Sequence, residues 1–114
     1  MAVYCHCAAC RRASGAAMAA WLLVPQAAFV YSQGYPRCFL SAPLVQREFC
    51  PHCGTALLIR PLAVDRKLVR VALAALDDPC AVRPQAHIWT QSRLPWVELG
   101  DDLPRYAEEG PFAD

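Results

Sequence analysis

Three cysteines stand within six residues, Cys5-His6-Cys7-Ala8-Ala9-Cys10, and this cluster constrains the chain more than any other feature of its sequence. A disulfide across one or two intervening residues closes almost no loop, so it removes little entropy from the unfolded chain. Three thiolates at this spacing instead suit one tetrahedral zinc ion, with sulfur about 2.3 Å from the metal. A second pair, Cys50-Pro51-His52-Cys53, is followed by Gly54, and Cys38 and Cys80 bring the total to seven. The number is odd, five of the seven are clustered, and the first residues lack the basic region and cleavage pattern of a signal peptide. Metal ligation in a cytoplasmic protein is therefore expected, rather than a disulfide scaffold.

A chain of 114 residues holds one domain with one modest core, and we take residues 1–114 as a single zinc-binding domain. A formal charge of +1 leaves no basic surplus for nucleic acid or an anionic membrane surface. The longest apolar run, Ala16 to Pro25, is about half of what a bilayer-spanning helix needs. Ten prolines and five glycines divide the sequence into short β-favouring stretches: Met18–Val24, Phe29–Tyr31, Arg37–Leu40, Leu44–Phe49, Thr55–Arg60, Leu68–Leu76 and His87–Thr90. They predict a mainly β fold of mostly antiparallel strands. Ala8–Ser14 is the best helical candidate. Leu68–Leu76 is also rich in Ala and Leu, but its alternation suits a strand, with Arg70 its one clearly polar residue. Leu94–Asp114 mixes prolines, acidic residues and aromatics, and reads as an irregular tail anchored by Trp96 and Leu103.

Cys5, Cys7 and Cys10 supply three ligands and leave a fourth position open, the arrangement of a catalytic or ligand-binding zinc. His6 lies between two ligands and is read as an exposed or supporting residue rather than a fourth donor. Cys50 and Cys53, between two strand-like flanks, form half of a structural site. Cys38 and Cys80 are either small buried residues or the missing half of that site. In a further arrangement, Cys5, Cys7, Cys50 and Cys53 share one closed zinc. A thioredoxin-type redox role for Cys50 and Cys53 ranks below these, because no βαβ pattern surrounds them.

The string Cys5-His6-Cys7-x-x-Cys10-Arg11-Arg12-x-Ser14-Gly15, followed by Trp21, resembles the glutathione-dependent formaldehyde-activating enzyme family, which includes centromere protein V. Arg47-x-Phe49-Cys50-x-x-Cys53-Gly54-Thr55-x-Leu57 is similar to its second signature. Leu76-Asp77-Asp78-Pro79, Pro84-x-x-His87-Ile88-Trp89-Thr90 and Leu94-Pro95-Trp96 resemble its C-terminal half. The resemblance implies several small coiled antiparallel sheets with zinc knuckles. It also implies a carbon–sulfur lyase that condenses formaldehyde with glutathione to S-hydroxymethylglutathione. By the same resemblance Cys5, Cys7 and Cys10 hold the catalytic zinc, and Cys50 and Cys53 hold a structural zinc together with a Cys-x-Cys pair on an earlier strand. That strand would precede Cys5, where this sequence starts at Met1. A shortened member would draw on Cys38 or Cys80, form a homodimer over the uncovered sheet edge, or dispense with the second metal.

Glutathione carries two carboxylates, which guanidinium groups beside the zinc would orient. Arg11 and Arg12 directly follow the last ligand and are the substrate-binding candidates, with solvated surface charge as the alternative. His87 is either a satisfied core histidine or a supporting or proton-transfer group near the zinc and its substrate. Trp21, Trp89 and Trp96 are read as core, and Asp77-Asp78-Pro79 as a strand-ending turn. The expected activity is thus a zinc-dependent condensation of glutathione, or a similar thiol, with formaldehyde or another small electrophile. The alternative is a non-enzymatic, zinc-stabilised protein-interaction module.

Overall fold

The computed structural model describes residues 1–112. Among these residues the seven strands are β1 (Ala2–Cys5), β2 (Ala19–Pro25), β3 (Arg37–Ala42), β4 (Val45–Phe49), β5 (Ala56–Pro61), β6 (Leu68–Ala72) and β7 (His87–Ile88), with one α-helix, α1 (Ala8–Ser14). The fold is mainly β, as the sequence implies. The strands join in one continuous order, β3-β4-β5-β6-β2-β1-β7, so the small sheets expected from the sequence run into a single curved surface. Every neighbouring pair is antiparallel except β1 and β7, which pair in parallel through Tyr4↔His87 and Cys5↔Ile88. None of the helices among the described residues is long and apolar enough to cross a membrane.

The helix follows its sequence closely. Ala, Arg and Ala favour helix, and Arg11 and Arg12 in the last turn complement the negative end of the helix dipole. Gly15 closes it at φ +70, where a side chain would be strained, and its N–H donates to the Arg11 carbonyl at 2.8 Å. At the other end Cys7 occupies the capping position, and its sulfur accepts the Cys10 N–H at 3.3 Å. A sulfur does here what a serine or aspartate oxygen usually does.

Several expectations change. Phe29–Tyr31 is not a strand. Its rings pack edge to face at 5.0 Å, and Tyr31 Oη donates to the Glu48 carboxylate at 2.8 Å, so a side-chain contact fixes this segment instead of a ladder. The strand expected over Leu68–Leu76 ends at Ala72 and tightens into a 3-10 turn at Leu73–Ala75. β1 has no counterpart among the expected strands: four residues too short to show periodicity lie between β2 and β7, with Ala2, Val3 and Cys5 fully buried.

The core gathers Val3, Cys5, Cys10, Trp21, Ile59, Ala86 and Ile88. Each large apolar side chain buried there contributes about 1.5–3 kcal/mol relative to exposure. Cys5 and Cys10 thus belong to the packed interior as well as to the cluster. The tail crosses this end of the sheet, bridging Arg105 to His87, and residues 113–114 of the expected tail lie outside the described residues. Its anchors are Tyr106 and Phe112, which pack on the core. Trp96 is 71% exposed and anchors nothing, because Pro95 and Trp96 sit in a turn that faces water. Leu103 is half-buried. Asp78 does make the expected turn, its carboxylate accepting the Cys80 N–H at 3.1 Å.

Candidate metal centre and its cleft

The three sulfurs of Cys5, Cys7 and Cys10 lie within 4.8 Å of one another, and among the described residues no other group of three potential ligands does so. The local sequence explains why. Cys5 ends β1, Cys7 caps α1, and Cys10 sits on the first helical turn, three residues on and so on the same face as the cap. Cys5 is fully buried and Cys10 is 2% exposed, while Cys7 is partly open.

Three thiols this close cannot all ionise without a cation among them. Within the cluster, hydrogen bonding favours the ionised form of one sulfur at the expense of another. The Cys7 thiol is driven down by hydrogen bonds from the Cys10 and Cys5 thiols and by the Cys10 N–H, with Arg47 adding to the effect. Cys5 is driven up by its hydrogen bonds to Cys10 and Cys7 and by burial. A soft, thiophilic divalent cation removes this conflict, and the all-sulfur donor set fits zinc.

Cys7 and Cys10 open onto a cleft of about 560 Å³. Its walls carry three arginines, Arg47, Arg66 and Arg70, together with Trp89 and Glu109. Arg47 stands over the thiols, its Nη2 at 4.0 Å from Cys10 Sγ. Trp89 adopts φ 57 and ψ 37, an uncommon conformation for a bulky residue. That kink ends β7 and turns the chain into the Thr90–Ser92 turn, which places Trp89 and Ser92 on the cleft wall. A second groove of about 600 Å³ shares Cys10 and Arg47 with the first and is walled by Trp21, Phe39, Phe49 and Arg12.

Behind the cluster lies a polar chain. His6 Nε2 is 2.9 Å from His87 Nδ1, and His87 Nε2 is 2.9 Å from Asp101 Oδ2, with both imidazoles fully buried. Burial lowers His6 to about 4, and His87, Arg93 and Arg11 push the same way, so His6 is neutral near pH 7. The hydrogen bond from His87, with the Leu103 N–H, holds the Asp101 carboxyl below its ordinary value. Reading from Asp101, His87 Nε2–H donates to the carboxylate and His6 Nε2–H donates to His87 Nδ1. This order is assigned from the network and leaves a lone pair, not an N–H, unpartnered at the buried His6 Nδ1. Tyr4 stacks on His87 with ring centroids 4.8 Å apart. His6 is therefore buried, not exposed, and the chain fixes from behind the backbone that carries Cys5 and Cys7.

The other sites named from the sequence fall elsewhere. Arg11 turns its Nε back to the His6 carbonyl at 3.2 Å and is not part of the arginine-lined cleft, and Arg12 reaches the second groove. Cys50 and Cys53 close the β4–β5 hairpin in a tight turn: Cys50 N–H donates to the Thr55 carbonyl at 2.9 Å, and Gly54, at φ +76, donates to the Cys50 carbonyl at 2.8 Å. The Cys53 sulfur lies 2.9 Å from Thr55 Oγ1, a contact that lowers its thiol. This pair does not join Cys5 and Cys7 in a shared four-sulfur site. Cys38 and Cys80 are exposed, not buried, because both lie on segments that face water, and neither forms a group of three with the hairpin pair. Sequence reasoning missed Arg66, Arg70 and Glu109. Arg70 had left one signal, a lone charge inside an apolar strand; Glu109 had none.

Residues 1–92 match the family model described as glutathione-dependent formaldehyde-activating enzyme, about four-fifths of the chain. The chain belongs to this family. No curated protein matches the sequence significantly. For a formaldehyde-activating enzyme family member, the match spans both cysteine clusters, Arg47 and His87, and stops before Asp101 and Glu109.

Proposed function

We propose that the chain is a zinc-dependent carbon–sulfur lyase-like enzyme, acting in the cytoplasm, that condenses glutathione or a similar thiol with formaldehyde or another small electrophile. The observation that carries this reading is a three-sulfur cluster that opens, through Cys7 and Cys10, onto a cleft lined by three arginines. Cys5, Cys7 and Cys10 would hold the zinc, which when bound keeps a coordinated thiol deprotonated near neutral pH. The protein's own part is placement. Arg47 sets a positive charge beside the sulfurs, and Arg66 and Arg70 extend it along the cleft for carboxylates. The His6–His87–Asp101 chain keeps the Cys5–Cys7 turn rigid. In the reaction the thiol adds across the carbonyl: sulfur bonds to carbon, the π pair moves to oxygen, and the thiol's proton completes the hydroxyl. No oxidant or reductant is needed.

The test is zinc per chain by native mass spectrometry, with and without glutathione, alongside formation of the hydroxymethyl thioether followed by proton NMR. One zinc, a glutathione adduct and catalysed product formation are expected. A zinc-loaded chain that takes up no thiol and does not accelerate the condensation would sink the enzyme reading. One observation favours the interaction-module alternative: β3 is an edge strand exposed along its whole length, with Phe39 and Leu40 each 61% exposed. Pairing of β3 with a second copy would give a homodimer, visible as a doubled mass in the same spectra.

A further inference from the structure

We infer that Arg66, Arg70 and Glu109 form a subsite for the zwitterionic head of an α-amino acid, so that the cleft selects thiols bearing a free α-ammonium and α-carboxylate. This rests on the thiol-condensing reading above and adds to it which part of the substrate is recognised, and by what. Glu109 Oε2 is 3.7 Å from Arg66 Nη1, and Glu109 Oε1 is 3.9 Å from Arg70 Nη2. These separations exceed a good charge-assisted hydrogen bond, so the three groups are neighbours that have not closed on one another. All three line the same cleft as Cys7 and Cys10. Two guanidiniums beside one carboxylate are the complement of an α-carboxylate beside an ammonium. Counting Arg47, the lining carries three positive charges and one negative, which suits a thiol with two carboxylates and one ammonium.

The position of Glu109 is built, not incidental. It belongs to the tail, which Trp89 N–H ties down at the Glu108 carbonyl at 2.9 Å, and which Tyr106 and Phe112 clamp by edge-to-face packing at 5.7 Å. Gly110 follows at φ +59, and a Cβ there would lie 2.6 Å from Tyr106 Cγ. The aromatic ring packs into the space that glycine leaves, and this directs the preceding carboxylate into the cleft. Arg70 comes from the sheet, on β6, paired in register with Leu23 and Ile59. Its side chain is 19% exposed and that of Glu109 is 28% exposed, so the pair is partly desolvated and able to discriminate.

S-Methylglutathione, which has both head groups and no free thiol, tests this subsite apart from the metal. Its affinity for the full chain, by calorimetry, is compared with that of its N-acetylated form, which lacks the ammonium. The expected result is about tenfold weaker binding on acetylation. Glu109→Gln should weaken the parent compound to the same level and abolish the difference, and Arg70→Met should weaken both forms. The inference is overturned if acetylation has no effect, if neither compound binds, or if Glu109→Gln tightens binding, which would make Glu109 a competitor for the arginines. Binding of 2-mercaptoethanol, a thiol with no head group, to the zinc-loaded chain reports separately on the thiol site, so either reading can fail alone.

Discussion

Two Cys-x-x-Cys steps, Cys7 to Cys10 and Cys50 to Cys53, share a spacing and differ in nearly everything else. The first is drawn into the core by β1 and α1, gains a third sulfur from Cys5, and has an arginine over it. The second sits on a hairpin turn with Cys53 exposed, and its contacts come from its own neighbours, Thr55 and Gly54. Spacing alone offers two thiolates to a metal. Burial, a third sulfur and an adjoining cleft set the first step apart and suit it to the proposed chemistry. One strand links the two regions: β4 brings Arg47 to the first cluster and leads through Phe49 to the second.

The largest expected effect would break the comparison outright. Cys10→Ser removes a proposed ligand from the core cluster and should lower zinc affinity by well over the roughly 100-fold typical of losing a supporting residue. Cys53→Ser should leave zinc affinity at the core cluster unchanged. Zinc titration of the two variants against a chelating indicator decides it, and equal losses would mean that the two steps are equivalent.

A smaller effect concerns the strand between them. Glu48 is 3% exposed and accepts hydrogen bonds from Arg60 at 2.6 Å, Tyr31 at 2.8 Å and Gln46 at 3.1 Å. Burial opposes its ionisation, but Arg60, Tyr31 and Gln46 together outweigh it and hold the carboxyl below 4.5. Glu48→Gln should destabilise the fold by about 2–3 kcal/mol in urea unfolding, since it leaves Arg60 with a neutral partner. The sign of the pH dependence follows from the depressed value. The contribution is complete above pH 4.5 and is lost as pH falls below it through the folded value, so wild type and variant should converge in stability in acid.

The smallest effect sharpens the description of the first cluster. Asp101→Asn removes the charge that orders the His87–His6 chain without touching the core. Long-range nitrogen–proton NMR should show His87 and His6 losing their single tautomers, with little change in thermal stability. Unchanged ring signals would show that Tyr4 stacking and burial, not Asp101, fix the rings.

The sequence by itself determined the three-cysteine cluster, the helix from Ala8 to Ser14 and six of the seven strands. These rest on spacing and local propensity, which act between residues a few positions apart. β1 escaped notice because four residues carry no usable period, and Phe29–Tyr31 misled because aromatic, β-branched composition also suits a segment pinned by a hydroxyl to Glu48. Only the tertiary structure decided that His6 and His87, 81 residues apart, share a hydrogen bond. It likewise decided that Arg47, Arg66, Arg70 and Glu109 meet in one cleft, whereas the adjacent Arg11 turns back to its own helix entrance. Proximity in sequence identified the three clustered cysteines, which lie within six residues of one another. The residues that line the cleft come together through strand order and the path of the tail, which no local pattern encodes.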